Sequence, residues 1–215
     1  MLNTTLLNTT FLQIRLFVRV SIAALISLSM VNFAYAGGQR EEPLSNSVKA
    51  LMQKSISDRA APRLILASEA EGKSWLEDMS QRLKKRMPDD EYRMEFLQSV
   101  QYESARAGLD PQLVMGLIQV ESGFKKYAVS SVGARGYMQV MPFWVRSIGT
   151  KEQNLFHLRL NLRYGCTILR HYLDIEKGDL YRALGRYNGS LGQPQYPNLV
   201  VGAWHKNWQY PTRTL

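Results

Sequence analysis

The chain has 215 residues, 45% of them hydrophobic, with 27 Lys and Arg against 18 Asp and Glu and a net charge of +9. Its single cysteine, Cys166, excludes an intrachain disulfide. The length suits one core with a small appendage. The basic surplus points to anionic polymers or membrane surfaces as partners, or does no more than aid solubility.

Residues 1–36 have the pattern of a secretory signal peptide. Arg15 and Arg19 form a positive flank, an apolar run follows, and Ala34-Tyr35-Ala36 is a small-residue cleavage site. A retained membrane anchor is the alternative, although the apolar run is shorter than a span of ~20 residues requires. Export makes nucleic acid an unexpected partner and a periplasmic location the expected one.

Residues 37–88 read as a flexible start followed by a short helical N-terminal segment. Trp75, Leu76, Met79, Leu83 and Met87 recur three and four apart on one helix face, and Pro88 stops the helix. Residues 89–215 read as the main domain. Asp89 or Asp90 caps a helix over residues 91–107, with Tyr92, Phe96, Leu97 and Val100 inward and Gly108 as terminator. Asp110-Pro111 opens the next helix, which runs to about Glu121 and ends at Gly123. Val129, Val132, Val140 and the intervening glycines suggest a short irregular β-hairpin or extended loop. Helices follow over residues 143–148, 161–175 and 180–187, and a last one opens at Pro197. The expected fold is mainly α (α+β), with one small β-hairpin element.

Glu121 is the candidate for chemistry. It shares a helix face with Val114, Leu117 and Ile118, so its carboxyl faces apolar side chains. Desolvation there raises its pKa and lets it keep a proton as a general acid. The competing reading has Glu121 simply ending the helix and turning outward, at a position the helix dipole disfavours. Residues 122–151 contain no Asp or Glu before Glu152. They do contain Gly133-Ala134-Arg135-Gly136-Tyr137-Met138-Gln139-Val140-Met141-Pro142, whose glycines let backbone approach a ligand. Ser122 can donate to the Glu121 carboxylate, Gln139 offers a donor and an acceptor, and Tyr187-Asn188 presents an aromatic face beside an amide.

Glu121-Ser122, Gly136-Tyr137-Met138-Gln139-Val140-Met141-Pro142, Tyr187-Asn188 and Tyr196, in this order and spacing, resemble the soluble-type (SLT) lytic transglycosylases of glycoside hydrolase family 23. Asn161, Gly165 and Tyr172-Leu173 fit the helix that follows the glycine string in that family. The resemblance covers about residues 90–210. It implies a lysozyme-like fold and cleavage of the β-1,4 bond between N-acetylmuramic acid and N-acetylglucosamine in peptidoglycan. It implies Glu121 as the single acid and base, and Ser122, Gly136, Met138, Gln139, Tyr187, Asn188 and Tyr196 as substrate-binding residues. Tyr137 stands where Leu is usual, Arg186 where Ala is usual, and no Glu-Thr pair precedes Tyr196, which bears on subsite preference.

Two-carboxylate glycosidases need a second acid ~5 Å or more away. The acids after Glu121 are Glu152, Asp174, Glu176 and Asp179. The last three cluster at a helix end and read as surface charges or a cap; Glu152 is the least easily dismissed. Lacking a partner, Glu121 can use the sugar's own acetamido and 6-hydroxyl groups to form a 1,6-anhydro ring. No cofactor is expected, and His157, His171 and His205 lack metal-ligand spacing. Trp204, Trp208 and Tyr210 read as core rather than as a sugar-stacking surface. The alternatives are a hydrolytic muramidase of the same fold and a non-catalytic peptidoglycan-binding scaffold of a secretion system. A monomer is expected, with peptidoglycan strands as substrate and cell-envelope or secretion-apparatus proteins as candidate partners.

Overall fold

The computed structural model describes residues 38–57, 69–150 and 153–211. The signal-peptide expectation and Glu152 lie outside the described residues. The described residues form one unit and are helical: α1 Asn46–Ser57, α2 Glu69–Leu83, α3 Asp90–Arg106, α4 Pro111–Ser122, α5 Pro142–Ile148, α6 Leu158–Ile175, α7 Leu180–Asn188 and α8 Gln195–Ala203, then a π-helical turn, Trp204–Trp208. Among the described residues no helix is long and apolar enough to cross a membrane.

Local chemistry sets the boundaries. Asp89, rather than Asp90, caps α3, its side chain accepting from the Tyr92 N–H at 2.9 Å. Asp110 caps α4 by accepting from the Gln112 N–H at 2.6 Å, and Pro111 occupies the first helical position. Gly123 ends α4 in the left-handed conformation, φ 57°. α4 is buried on nearly every side. It packs against α3, α8 and the π-helical turn, so its last turn lies inside the molecule.

The core takes Phe96, Leu97 and Val100 from α3, Val114, Leu117 and Ile118 from α4, Leu162, Ile168 and Leu169 from α6, and Val200 from α8, all fully buried. The stripe from Trp75 to Met87 is buried as its spacing predicts. Trp208 is also core, its indole N–H donating to Gln119 Oε1 at 2.8 Å.

The N-terminal helices pack on this body. α2 lies against α3, and α1 against α5 and α6. An ion cluster fastens α1. Buried Glu103 pairs with Arg163 at 2.8 Å and Arg106 at 3.0 Å. The same arginines donate to carbonyls at the end of α1: Arg106 to Ser55 at 2.9 Å and Arg163 to Ile56 at 3.4 Å.

The expected β-hairpin is reduced to two isolated bridges, Val129 with Arg135 and Arg135 with Val140. The reason is chemical. Gln139 sits at φ 47°, and its side-chain Nε2 donates to the carbonyls of Ala128 and Gly136 at 3.1 and 2.9 Å. The Ala128 carbonyl also accepts from the Gly136 N–H at 2.9 Å and the Gly136 carbonyl from the Gln139 N–H at 3.2 Å, so backbone and side chain together close the segment into tight turns, with positive φ at Gly133, Gly136 and Gln139, in place of a regular ladder.

Candidate active site

Glu121 occupies the last turn of α4 and is 5% exposed. Its Oε1 accepts a hydrogen bond from the Tyr196 hydroxyl, which the first turn of α8 supplies. Its Oε2 is buried with no hydrogen-bond partner. Burial raises the carboxyl pKa from an ordinary 4.5 to about 8, and the Tyr196 hydrogen bond opposes that rise. The group therefore holds its proton at neutral pH. Burial and the neighbouring Glu121 charge push both Tyr196 and Tyr187 well above the ordinary phenol range, so each hydroxyl stays protonated.

Of the acids considered as partners for Glu121, the three among the described residues are engaged elsewhere. Asp174 pairs with Arg170, Glu176 with Arg182 and Arg186, and Asp179 caps α7 by accepting from the Arg182 N–H.

The glycine segment wraps beside this carboxyl around one side chain. Asn161, fully buried on α6, accepts from the Met138 N–H at 2.8 Å and donates to the carbonyls of Arg135 and Leu155, each at 2.8 Å. Gly136 is required there. Its φ is 76°, and an added Cβ would fall 2.5 Å from Asn161 Nδ2 and 2.7 Å from the Leu155 carbonyl oxygen. The Tyr187 hydroxyl donates to the Met138 carbonyl at 2.7 Å and so ties α7 to the same segment.

One expectation is corrected. Ser122 does not donate to the Glu121 carboxylate. Its hydroxyl donates to the carbonyls of Tyr137 at 2.8 Å and Ile118 at 3.2 Å, so it braces the segment against α4, while Tyr196 takes the carboxyl. Met138 is fully buried, with its sulfur where a Cβ on Gly165 would come within 2.4 Å. It forms the wall behind the segment. Gln139 lies beside it with its donor spent inside the turn. Asn188 ends α7. Its Nδ2 donates to Ser190 Oγ at 3.1 Å, while its Oδ1 is buried without a partner.

The departures from the family pattern acquire structural partners. The Tyr137 hydroxyl lies 2.8 Å from that of Tyr92, and Arg186 pairs with Glu176 and with Glu42. Sequence reasoning missed the organising role of Asn161, although an asparagine inside the apolar face of α6 is a signal of a buried polar junction. It also missed Gln39, which lies in a polar stretch with no periodicity to mark it. Among the described residues no three His, Cys, Asp or Glu side chains gather where they could hold a metal ion.

Residues 98–198 match the family model described as the transglycosylase SLT domain. A transglycosylase of Enterobacteria phage PRD1 is 35% identical over 103 residues, which is 48% of this chain and 38% of the phage protein. Membrane-bound lytic murein transglycosylase C of Mannheimia succiniciproducens is 45% identical over 47 residues, 22% of this chain and 13% of that protein. Its counterpart in Glaesserella parasuis is 47% identical over 47 residues, covering the same shares. The chain thus spans well under half the length of these relatives. The matched region carries Glu121, the glycine segment, Tyr187-Asn188 and Tyr196 together, and residues 98–198 are a transglycosylase SLT domain, homologous to the phage PRD1 protein.

Proposed function

We propose that the chain is a peptidoglycan lytic transglycosylase that cleaves the β-1,4 bond between N-acetylmuramic acid and N-acetylglucosamine. In this reading it has a lysozyme-like fold and works in the periplasm after export. One observation carries the chemistry: the Glu121 carboxyl is buried and protonated, with Oε2 uncommitted and Oε1 held by Tyr196.

The steps follow from that carboxyl. Glu121 gives its proton to the glycosidic oxygen as the bond to C1 of the muramyl sugar breaks, and the N-acetylglucosamine side leaves with a new hydroxyl. The muramyl acetamido oxygen stabilises the positive centre. Glu121, now a carboxylate, takes the proton of the same sugar's 6-hydroxyl, whose oxygen bonds to C1 and closes the 1,6-anhydro ring. The proton count returns to its start and no water is consumed. Tyr196 suits both halves, because its hydroxyl steadies the carboxylate that forms between them. Tyr187, Asn188, Gly136 and Gln139 border the place a sugar would take.

Digestion of purified sacculi tests the proposal. Wild-type protein is expected to release muropeptides one water lighter than hydrolysis products, and Glu121→Gln to release them ~10²–10⁴-fold more slowly. Products with reducing-end muramic acid would establish a muramidase instead. A folded wild type with no product would establish a binding scaffold.

A further inference from the structure

Residues 38–42, ahead of α1, lie across the end of α7 and the start of α5. A Cβ on Gly189 would fall 1.9 Å from the Gly38 carbonyl oxygen, and one on Gly38 would fall 2.8 Å from the Asn188 carbonyl oxygen. The two glycines let one backbone rest directly on the other. Next to them Gln39 is 5% exposed, although its neighbours Gly38 and Arg40 are exposed. Its Oε1 accepts from the Trp144 indole N–H at 3.0 Å and from the Met141 backbone N–H at 3.3 Å. Its Nε2 is buried without a hydrogen-bond partner, and the side chain lies close enough to Tyr187 to act on its hydroxyl. On the rim Glu42 pairs with Arg186 at 3.2 Å, and Glu41 lies 4.0 Å from Arg146.

This arrangement looks like a ligand in its site. A carboxamide presents one carbonyl acceptor and an N–H donor, and two N–H groups hold the acceptor. The 2-acetamido group of an N-acetylated amino sugar presents the same pair. The place is next to the candidate chemistry, because Tyr187 is close enough to feel the charge of Glu121. Asn188 Oδ1 and Glu121 Oε2 are both buried without partners, so the polar atoms a sugar would meet are covered and unsatisfied. The rim ion pairs are exposed and hold weakly, so the segment can leave.

We propose that residues 38–42 are a strap that occupies in cis a subsite for an N-acetylated amino sugar, with the Gln39 carboxamide where the sugar's acetamido group binds. Substrate enters only when the strap lifts. The inference rests on the reading of Glu121 and its surroundings as a sugar site. A strap that is closed nine-tenths of the time weakens sugar binding about tenfold.

The test uses the full chain carrying Gln39→Ala, and separately Glu42→Lys, which breaks the Arg186 pair without altering the buried contact. Binding of a soluble β-1,4 trimer of N-acetylglucosamine is measured calorimetrically in the Glu121→Gln background, and release of anhydro-muropeptides in the Glu121 background. Both variants are expected to bind the trimer roughly three- to tenfold more tightly, with a lower KM and unchanged kcat. Unchanged, weaker or undetectable binding in both variants overturns the strap. The two proposals fail separately. Tighter trimer binding without anhydro product sustains the strap and sinks the transglycosylase reading. Anhydro product formed alike by all three proteins, with equal KM, does the reverse.

Discussion

Two glutamates on neighbouring helices are buried to almost the same degree and have opposite surroundings. Glu103 on α3 is 2% exposed and lies between Arg163 and Arg106, which also hold the end of α1. Glu121 on α4 is 5% exposed and has only the neutral hydroxyl of Tyr196. Burial without a cation turns a carboxyl into a proton reservoir, and burial with two cations turns it into a clamp. The partner, and not the depth, separates an acid that can react from one that holds helices together.

Exchanging the roles should break this contrast. Glu121→Gln is expected to lower the rate by ~10²–10⁴-fold, the usual contribution of a general acid, with the fold intact. Product mass spectrometry and a thermal melt check both halves. Glu103→Ala should leave two guanidinium groups beside an emptied site and cost about 3–5 kcal/mol, read as a lower urea midpoint, with activity per folded molecule unchanged.

The pH dependence sharpens the comparison. The folded state keeps a proton on Glu121 that the unfolded chain releases above its ordinary 4.5, so unfolding becomes easier as pH rises from there to about 8. The loss reaches at most about 3 kcal/mol at pH 7 and disappears in Glu121→Gln. Denaturation midpoints for both proteins across pH 4.5–8 measure it. Activity should fall as pH passes about 8, where the carboxyl loses its proton. Tyr196→Phe removes the hydrogen bond that lowers the Glu121 pKa, so the alkaline limb should move up by about one pH unit. A pH–rate profile reads this smallest effect.

Helix ends were legible because they obey local rules. Asp110, Pro111 and Gly123 sit within one helix and mark both its boundaries. Glu121 was legible as a candidate because three apolar residues on its own helix share its face. The hairpin misled because positive φ at Gly133, Gly136 and Gln139 folds the segment into turns, which the Gln139 side chain closes onto the Ala128 and Gly136 carbonyls, and strand spacing does not encode such turns. Ser122 misled because adjacency in sequence suggested contact, whereas a helix turns successive side chains in different directions.

The sequence alone determined the helical elements, the apolar faces that bury them and the one acid placed at the end of an apolar helix, because periodicity and capping act over a few residues. The tertiary structure decided what surrounds that acid. Tyr196 reaches it from α8, while Asn161 of α6 holds the glycine segment and Gln39 enters from ahead of α1, and these contacts depend on chain packing that no short-range pattern records. Reactivity is set by the groups that reach a buried carboxyl, and those groups arrive from distant parts of the chain.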